Sequence, residues 1–288
     1  MIQISNEKLK ATINPKGAEL VSLYSIETKT EFIWDAKPEF WGKSSPVLFP
    51  IVGGLKNDTY IHEGKSYNLP RHGFARTMDF EVEKYLGESA TFLLKNNAET
   101  ESIYPFEFEL RLIYSIVENS LELKYQVTNP SQQNIWFSIG AHPAFKCPID
   151  PTLTYNDYYL EFSLEEDLEK WPLDDAGLVM STPLLIEKNT RRLQLNKELF
   201  YEDALVFKNL KSNSITLKSD KNPNSLTFKF ESFPYMGIWA AKNAEFVCIE
   251  PWCGIADAVN TDQKLINKEG IIDLEAGGQF ERSFSMEV

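Results

Sequence analysis

The stretch that decides the fold is residues 106–128, FEFELRLIYSIVENSLELKYQVT. Apolar residues alternate with mostly polar ones through Tyr114, a turn lies at Val117–Ser120, and the alternation resumes through Val127. Alternation with a period of two is typical of strands that bury one face, and two such runs around a short turn predict an antiparallel hairpin. The chain therefore contains an antiparallel sheet.

Runs with the same β character continue on both sides of this hairpin. They are FEVEKY (80–85), ATFLLK (90–95), SITLKS (214–219), SLTFKF (225–230) and EFVCIE (245–250). Helical periodicity is confined to weak candidates near 160–170 and 196–206, and no strand–helix–strand alternation suggests a parallel sheet. No fixed repeat or Gly/Ser linker marks a boundary. We predict an all-β protein, a large antiparallel β-sandwich formed by a single domain over residues 1–288.

The composition restricts the partners. The chain of 288 residues is 43% hydrophobic and has a formal net charge of −13, with a sequence pI of about 4.8. Such a charge repels nucleic-acid phosphates and anionic lipid head groups. No apolar run approaches the roughly 20 residues of a membrane helix, and MIQISNEKLKATI lacks the pattern of a signal peptide. We expect a cytoplasmic protein with no nucleic-acid or membrane partner.

Two features could suggest a metal site, and neither has the required spacing. Cys248 and Cys253 do not form a C-x2-C pair, and with Cys147 they make an odd number, which favours buried free thiols. The acidic run at 157–175 lacks the EF-hand pattern and is interpreted as a solvated face. We expect no metal site.

Three segments carry candidate chemistry: LPRHGFAR (69–76) with His72, GAHPAF (140–145) with His142, and EFVCIEPWCGIAD (245–257) with Glu250. A carboxylate at the end of so apolar a strand is partly desolvated, which raises its basicity. Each segment has a plainer interpretation: His72 could belong to a structural turn, and Glu250 could lie in solvent or pair with Arg71 or Arg76.

These segments, with ATINPKGAELVSLYS (11–25), PVLFPIVGG (46–54) and MGIWAAKNAEF (236–246), resemble in order and spacing the aldose 1-epimerase (galactose mutarotase) family, especially its LacX-type mutarotase-related branch. The resemblance covers nearly the whole chain. It implies a β-sandwich with a sugar in an open cleft across one sheet. It also implies a cofactor-independent isomerase that interconverts the α and β anomers of an aldohexose.

Carried over residue by residue, the resemblance implies that Glu250 removes the proton of the C1 hydroxyl and that His142 protonates the ring oxygen. His72 would be a second donor to the substrate, with Gly73 letting the backbone pass close to the ligand. The residue types suit the chemistry, because opening a cyclic hemiacetal takes a proton from one oxygen and delivers one to another. A histidine near its reference pKa of about 6.5 does both near neutrality.

Further substrate-binding candidates are Arg76, Asp203 and Trp239. Arg76 would orient His72 or contact a sugar oxygen, unless it is a solvated charge, and Asp203 would bind sugar hydroxyls. Trp239, like Trp252, would stack on the sugar or belong to the core. Relatives often carry an arginine after LFPIVG, where this chain has Gly54. The sequence leaves open whether Lys56 replaces it.

Other functions remain open. A hexose-6-phosphate mutarotase would need cations at the cleft rim, for which Lys43, Lys56, Arg71 and Arg76 are candidates, although the net charge opposes an anionic substrate. A non-catalytic carbohydrate-binding or sensing protein would not need the acid–base set. A cupin-like metal enzyme is disfavoured, because no two histidines have ligand spacing. In each favoured case the partner is a small sugar, and the protein is a monomer or homodimer.

Overall fold

The computed structural model describes residues 1–288, which form 23 strands and very little helix. The strands are β1 (Ile2–Ser5), β2 (Leu9–Asn14), β3 (Glu19–Ser25), β4 (Thr30–Glu31), β5 (Val47–Leu48), β6 (Thr59–His62), β7 (Lys65–Asn68), β8 (Glu81–Tyr85), β9 (Ser89–Lys95), β10 (Glu109–Val117), β11 (Ser120–Thr128), β12 (Ile135–Phe137), β13 (Ile139–Ala141), β14 (Ala144–Lys146), β15 (Tyr158–Lys170), β16 (Leu184–Gln194), β17 (Leu205–Lys208), β18 (Ser214–Ser219), β19 (Asn222–Lys229), β20 (Tyr235–Trp239), β21 (Phe246–Cys253), β22 (Ile272–Leu274) and β23 (Gln279–Glu287). The α-helix is α1 (Ala98–Ile103), and short 3-10 turns occupy Lys56–Asp58, Ala75–Thr77, Tyr155–Asp157, Lys197–Phe200 and Leu265–Asn267. No helix is long and apolar enough to cross a membrane.

The largest sheet has nine strands in the order β16-β15-β18-β19-β23-β11-β10-β9-β8, all paired antiparallel. The predicted hairpin is its β10–β11 pair, with Val117 opposite Ser120 at the turn. Every second residue of both strands is buried, from Leu110 to Ile116 and from Leu121 to Val127. The alternation of apolar and polar residues in the sequence therefore reflects the burial of one face of this sheet.

A second sheet, ordered β17-β20-β21-β13-β5 with β14 also paired to β21, carries the candidate site. All eight residues of β21 are buried, so this strand lies inside the protein on both faces. Smaller sheets are formed by β1–β4, β6–β7 and β12–β22.

Side chains from the nine-stranded sheet reach the second sheet across a shared core. Phe145 of β14 packs against Phe228 of β19 with their rings 5.9 Å apart, and the Tyr125 hydroxyl donates to the Gly140 carbonyl oxygen at 3.2 Å. A single cluster of 70 buried hydrophobic residues extends from Ile4 to Met286. The large antiparallel β-sandwich predicted from the sequence is confirmed, whereas the single domain over residues 1–288 stays a prediction.

The helix candidates near 160–170 and 196–206 were wrong. The first is strand β15, in which Leu160, Phe162 and Leu168 are buried; the strand pairs through bulges with β16 and also pairs with β18. The second contains only the turn Lys197–Phe200 before β17. Long-range pairing to β16 and β18 overrides the weak local preference, as tertiary context commonly does.

The acidic run is solvated along most of its length, with one exception. Glu166 is 3% exposed, and its carboxylate accepts hydrogen bonds from the backbone N–H groups of Ser212 at 2.6 Å and Lys211 at 3.3 Å. The three cysteines are buried and free, as predicted.

Candidate active site

Glu250 is the fifth of the eight residues of β21, and the strand is buried along its whole length. It is 2% exposed, and its neighbour across the sheet is Gly237 of β20. Trp252, two residues on, lies over Gly140 and Gly237, because a Cβ atom at either glycine would come within 2.6 Å of the indole. The apolar strand thus places one carboxylate in a buried setting beside a tryptophan.

His142 lies in the link between β13 and β14, and both strands pair with β21. Ile139 is opposite Cys253 and Ala144 is opposite Cys248, so the link between them passes beside Glu250. His142 Nε2 is 3.4 Å from Glu250 Oε2, and the histidine is only 8% exposed. The strand pairing therefore brings together two groups 108 residues apart in sequence.

His72 approaches the same place from the loop after β7, with a positive φ of 67°. Its backbone N–H donates to the Gly53 carbonyl oxygen at 2.9 Å, and the Gly53 N–H donates to His72 Nδ1 at 3.1 Å. Because Nδ1 accepts, the neutral ring carries its proton on Nε2. The His72 and His142 rings meet edge to face at 5.7 Å.

Gly73 has a different role from the expected one. It does not line the site; instead, a Cβ atom there would lie 2.3 Å from the Phe49 carbonyl oxygen, and its φ is 68°. Close packing against Phe49, rather than approach of the backbone to a ligand, requires glycine at this position.

All six residues selected from the sequence line one cavity of about 330 Å³: Glu250, His142, His72, Arg76, Asp203 and Trp239. Trp252 and Gly54 also line it. Its volume lies within the range usual for small-molecule sites. The structure thus brings the six together, while the role of each stays a prediction.

The sequence interpretation missed Trp41 and the wall formed by 173–179. The Trp41 ring stacks on His142 with centroids 4.8 Å apart, while Trp239 meets His142 edge to face at 5.5 Å. Leu173, Gly177 and Val179 belong to the connection between β15 and β16 and line the cavity. No motif marks these residues, and only the fold brings them to the site.

Burial shifts the pKa values of Glu250 and His142 in opposite directions. It raises the pKa of Glu250 well above 4.5, to which the charge of Asp203 adds. The Trp252 indole N–H opposes this shift only in part, since it approaches the carboxylate without completing a hydrogen bond. Burial also lowers the pKa of His142 to about 3. Both groups therefore favour their uncharged forms.

His72 is also held neutral. Burial lowers its pKa well below 6.5, and the charges of His142, Arg76 and Arg71 act in the same direction. The expectation that these histidines titrate near their reference pKa was therefore wrong, because the cavity withholds the water that would solvate the imidazolium.

One group of side chains at the site could hold a metal ion. His142, Cys248 and Glu250 place possible ligand atoms within 4.8 Å of one another. Burial raises the pKa of the Cys248 thiol well above 9.0, which opposes the thiolate that a metal requires. The cluster also coincides with the close His142–Glu250 pair, so its chemistry fits proton transfer better than a resident metal.

Lys56 does not take the place of the arginine that relatives often carry after LFPIVG. Lys56 Nζ donates to the Val259 carbonyl oxygen at 3.0 Å, and Lys43 pairs with Glu19 at 3.6 Å; neither lines the cavity. Arg71 and Arg76 do line it. Of the four cations considered from the sequence, only the two arginines reach the site.

Comparison with known proteins identifies the family. The family model for aldose 1-epimerase matches residues 1–279. The chain belongs to the aldose 1-epimerase family. It is 35% identical over 280 residues to the chromosomal protein LacX of Lactococcus lactis subsp. lactis, covering 93% of this chain and 92% of that one.

Solved structures agree with this assignment to the aldose 1-epimerase family. A galactose mutarotase related enzyme from Lactobacillus acidophilus superposes with a TM-score of 0.95 at 40% identity, over 99% of this chain and 96% of that one. A galactose mutarotase-like protein from Lactobacillus casei superposes with a TM-score of 0.93 at 31% identity, over 100% of this chain and 99% of that one. The resemblance to the family and to its LacX-type branch is confirmed over nearly the full length.

Proposed function

We propose that the protein is a cofactor-independent aldose 1-epimerase that interconverts the α and β anomers of an aldohexose. The observation that carries the proposal is the contact of 3.4 Å between His142 Nε2 and Glu250 Oε2 in a cavity that His72 also lines. Ring opening needs a base at one oxygen and an acid at another, and this pair supplies both within one monosaccharide-sized volume.

The reactive form of the pair is a Glu250 carboxylate beside a protonated His142. Burial favours the uncharged form of the pair, which differs from the reactive form by one proton moved between two atoms 3.4 Å apart. A sugar that donates its C1 hydroxyl to the carboxylate, and accepts from the imidazolium through its ring oxygen, stabilises the charged form. Substrate binding thereby prepares the pair for reaction.

In the reaction, Glu250 takes the C1 hydroxyl proton while the C1 to ring-oxygen bond breaks, a C1 carbonyl forms, and His142 protonates the departing ring oxygen. The aldehyde end rotates about the C1–C2 bond. The ring then closes on the other face of the carbonyl, Glu250 returns its proton to the C1 oxygen, and His142 recovers its proton. No proton or electron is gained or lost in the cycle.

The surrounding residues have supporting roles. His72 presents Nε2–H to a sugar oxygen, since its Nδ1 is engaged by Gly53. Asp203 accepts from sugar hydroxyls, and Trp239 offers an apolar face. General acid–base catalysis contributes roughly 10² to 10⁴-fold, a scale that suits a reaction that already proceeds in water.

The test is the rate of anomer equilibration. Purified protein added to a freshly dissolved single anomer should accelerate equilibration above the buffer rate, as followed by anomer-resolved NMR. Binding of sugars with no acceleration for any aldose would reject the proposal in favour of a carbohydrate-binding protein.

A further inference from the structure

The ring of His142 is held by contacts with other rings rather than by a hydrogen bond. Its Nδ1 atom is buried and has no hydrogen-bond partner, since it approaches only the backbone of His142 itself without completing a bond. Its Nε2 atom faces Glu250 Oε2 at 3.4 Å. An imidazole that transfers protons usually has its second nitrogen fixed by a carbonyl oxygen or a carboxylate. In this site another contact must fix the plane of the ring.

Trp41 supplies that contact. Its ring stacks on the ring of His142, with an interplanar angle of 26° and centroids 4.8 Å apart. The other aromatic neighbours meet His142 edge to face, Trp239 at 5.5 Å and His72 at 5.7 Å. Stacked and edge-to-face contacts are the favourable arrangements of aromatic pairs. An imidazole with one face covered and two edges against it cannot tilt without losing these contacts.

The position of Trp41 is itself fixed, although the residue belongs to the long connection between β4 and β5. Trp34 Nε1 donates to the Trp41 carbonyl oxygen at 3.0 Å, and the Trp41 N–H donates to the Lys37 carbonyl oxygen at 2.9 Å. The ring of Phe246 packs against those of Trp34 and Trp41, with centroids at 4.9 and 5.7 Å. The sequence neighbours of Trp41 are exposed, whereas Trp41 is partly buried and lines the cavity. The connection thus holds one aromatic ring against His142.

The stacked face also has an electrostatic consequence. In the proposed mechanism His142 becomes an imidazolium when the sugar binds, and the π face of an indole attracts a cation. Burial and the charge of Arg76 oppose this protonation by lowering the pKa of His142. The neighbouring His72 is neutral, and the Glu250 carboxylate favours the imidazolium. The face of Trp41 therefore lies where positive charge forms during the reaction.

We propose that Trp41 is the positioning residue for His142, which fixes the imidazole plane beside Glu250 and offers its π face to the imidazolium. This inference rests on the proposed function, because it assigns the orientation of the acid in the same cavity. The alternative role for an aromatic side chain in this wall is stacking on the sugar. A residue that acts through His142 affects kcat, whereas one that only binds the sugar affects KM.

The stack also predicts a single tautomer of His142. When Glu250 holds the shared proton, His142 Nε2 is the acceptor and the ring proton lies on Nδ1. A ring that is fixed in its plane keeps this tautomer. A released ring can turn and exchange its proton between the two nitrogens. The tautomer is therefore a readout of ring orientation that does not depend on turnover.

Kinetics with a single anomer separate the two roles. Trp41→Leu should lower kcat by about 10-fold, because a misplaced acid is costly, and should change KM by less than about 2-fold. Trp41→Phe keeps a ring over His142 and should stay within about 3-fold of the wild-type kcat. A rise in KM with unchanged kcat in Trp41→Leu would assign Trp41 to sugar stacking and overturn the inference. A kcat as low in Trp41→Phe as in Trp41→Leu would also overturn it.

Trp136→Leu is the matched control, because Trp136 is also partly buried and contacts a histidine, His62, at 5.5 Å outside the cavity. It should keep the wild-type kcat and KM. Trp34→Phe tests the anchor: it keeps a ring against Phe246 but loses the hydrogen bond to the Trp41 carbonyl oxygen, so kcat should fall while KM is unchanged. If Trp41→Leu does not fold, a wild-type kcat in Trp34→Phe would overturn the inference.

Nitrogen NMR on protein labelled at histidine tests the positioning without turnover, and the chain has only three histidines to assign. Near neutral pH, wild-type His142 should show one tautomer with its proton on Nδ1. Trp41→Leu should show an average of the two tautomers, while Trp41→Phe and Trp136→Leu keep the wild-type pattern. If no aldose is turned over, the proposed function fails, and this measurement still decides what holds His142. A wild-type tautomer in Trp41→Leu would overturn the inference.

Discussion

His142 Nε2 and Glu250 Oε2 lie 3.4 Å apart, with side chains that are 10% and 2% exposed. Burial of both groups penalises the separated charges, so the pair behaves as one unit that holds one proton. Burial favours the form that has the proton on Glu250. In the proposed mechanism this proton moves toward His142 when the sugar supplies partners for the charged form, so the roles of acid and base depend on the pair and on the substrate together.

The first prediction concerns pH. The pair keeps one proton from about pH 3, below which His142 is protonated as well, up to the raised pKa of Glu250, above which the pair loses its proton. The profile of kcat/KM against pH should therefore be broad and flat through pH 6.5 after the buffer rate is subtracted. A carboxyl and an imidazole that titrated independently, with pKa values of 4.5 and 6.5, would instead confine activity to the pH range between those values. Such a narrow profile would contradict the prediction that Glu250 and His142 share one proton.

Glu250→Gln should make the folded state more stable at neutral pH. The folded pKa of Glu250 lies above 4.5, so the carboxyl stabilises the fold fully only below that pH, and this contribution is lost as pH rises through the folded pKa. Glutamine does not ionise, and the variant should gain about 1–2 kcal/mol in free energy of unfolding at high pH. Urea unfolding of both proteins at about pH 5 and about pH 8 measures this difference in the free energy of unfolding. A difference that does not depend on pH would show that burial does not penalise the Glu250 carboxylate.

His72→Asn should weaken sugar binding. Asparagine tolerates the positive φ of 67°, but the variant loses the Nε2–H donor, so KM should rise by about 10-fold. His62→Asn is the control, because His62 packs against Phe106 and Trp136 away from the cavity. Steady-state kinetics on both variants measures the effect, and similar KM values for the two would remove His72 from the substrate contacts.

Metal removal should not affect activity. The proposed reaction is balanced by proton transfers among Glu250, His142 and the sugar. Dialysis against EDTA should therefore leave kcat and KM unchanged. A loss of activity that added Zn²⁺ restores would mean that His142, Cys248 and Glu250 act as metal ligands.

The sequence predicted the antiparallel strands because their burial alternates along the chain, as in β10 and β11. It selected His72, His142 and Glu250 as candidates because each lies in a segment that resembles the family, and the three line one cavity. It failed at β15, where pairing with β16 and β18 decides the conformation and the local pattern is weak.

Trp41 and the wall at 173–179 were missed for a related reason. Their positions depend on contacts between distant segments: the Val179 N–H donates to the Asp257 carbonyl oxygen at 2.8 Å, and Trp41 stacks on His142. The raised pKa of Glu250 was expected from its apolar strand, whereas the lowered pKa values of the histidines follow from enclosure that only the folded cavity provides.

The most direct test of the account is anomer-resolved NMR on Glu250→Gln with a slowly equilibrating aldose. The amide keeps the shape of the side chain but cannot accept the C1 proton, so acceleration should fall by about 10²-fold or more while sugar binding is largely retained. Glu166→Gln, a buried glutamate outside the cavity, is the matched control and should keep the wild-type rate. A Glu250→Gln protein that equilibrates anomers at near the wild-type rate would contradict the assignment of Glu250 as the base.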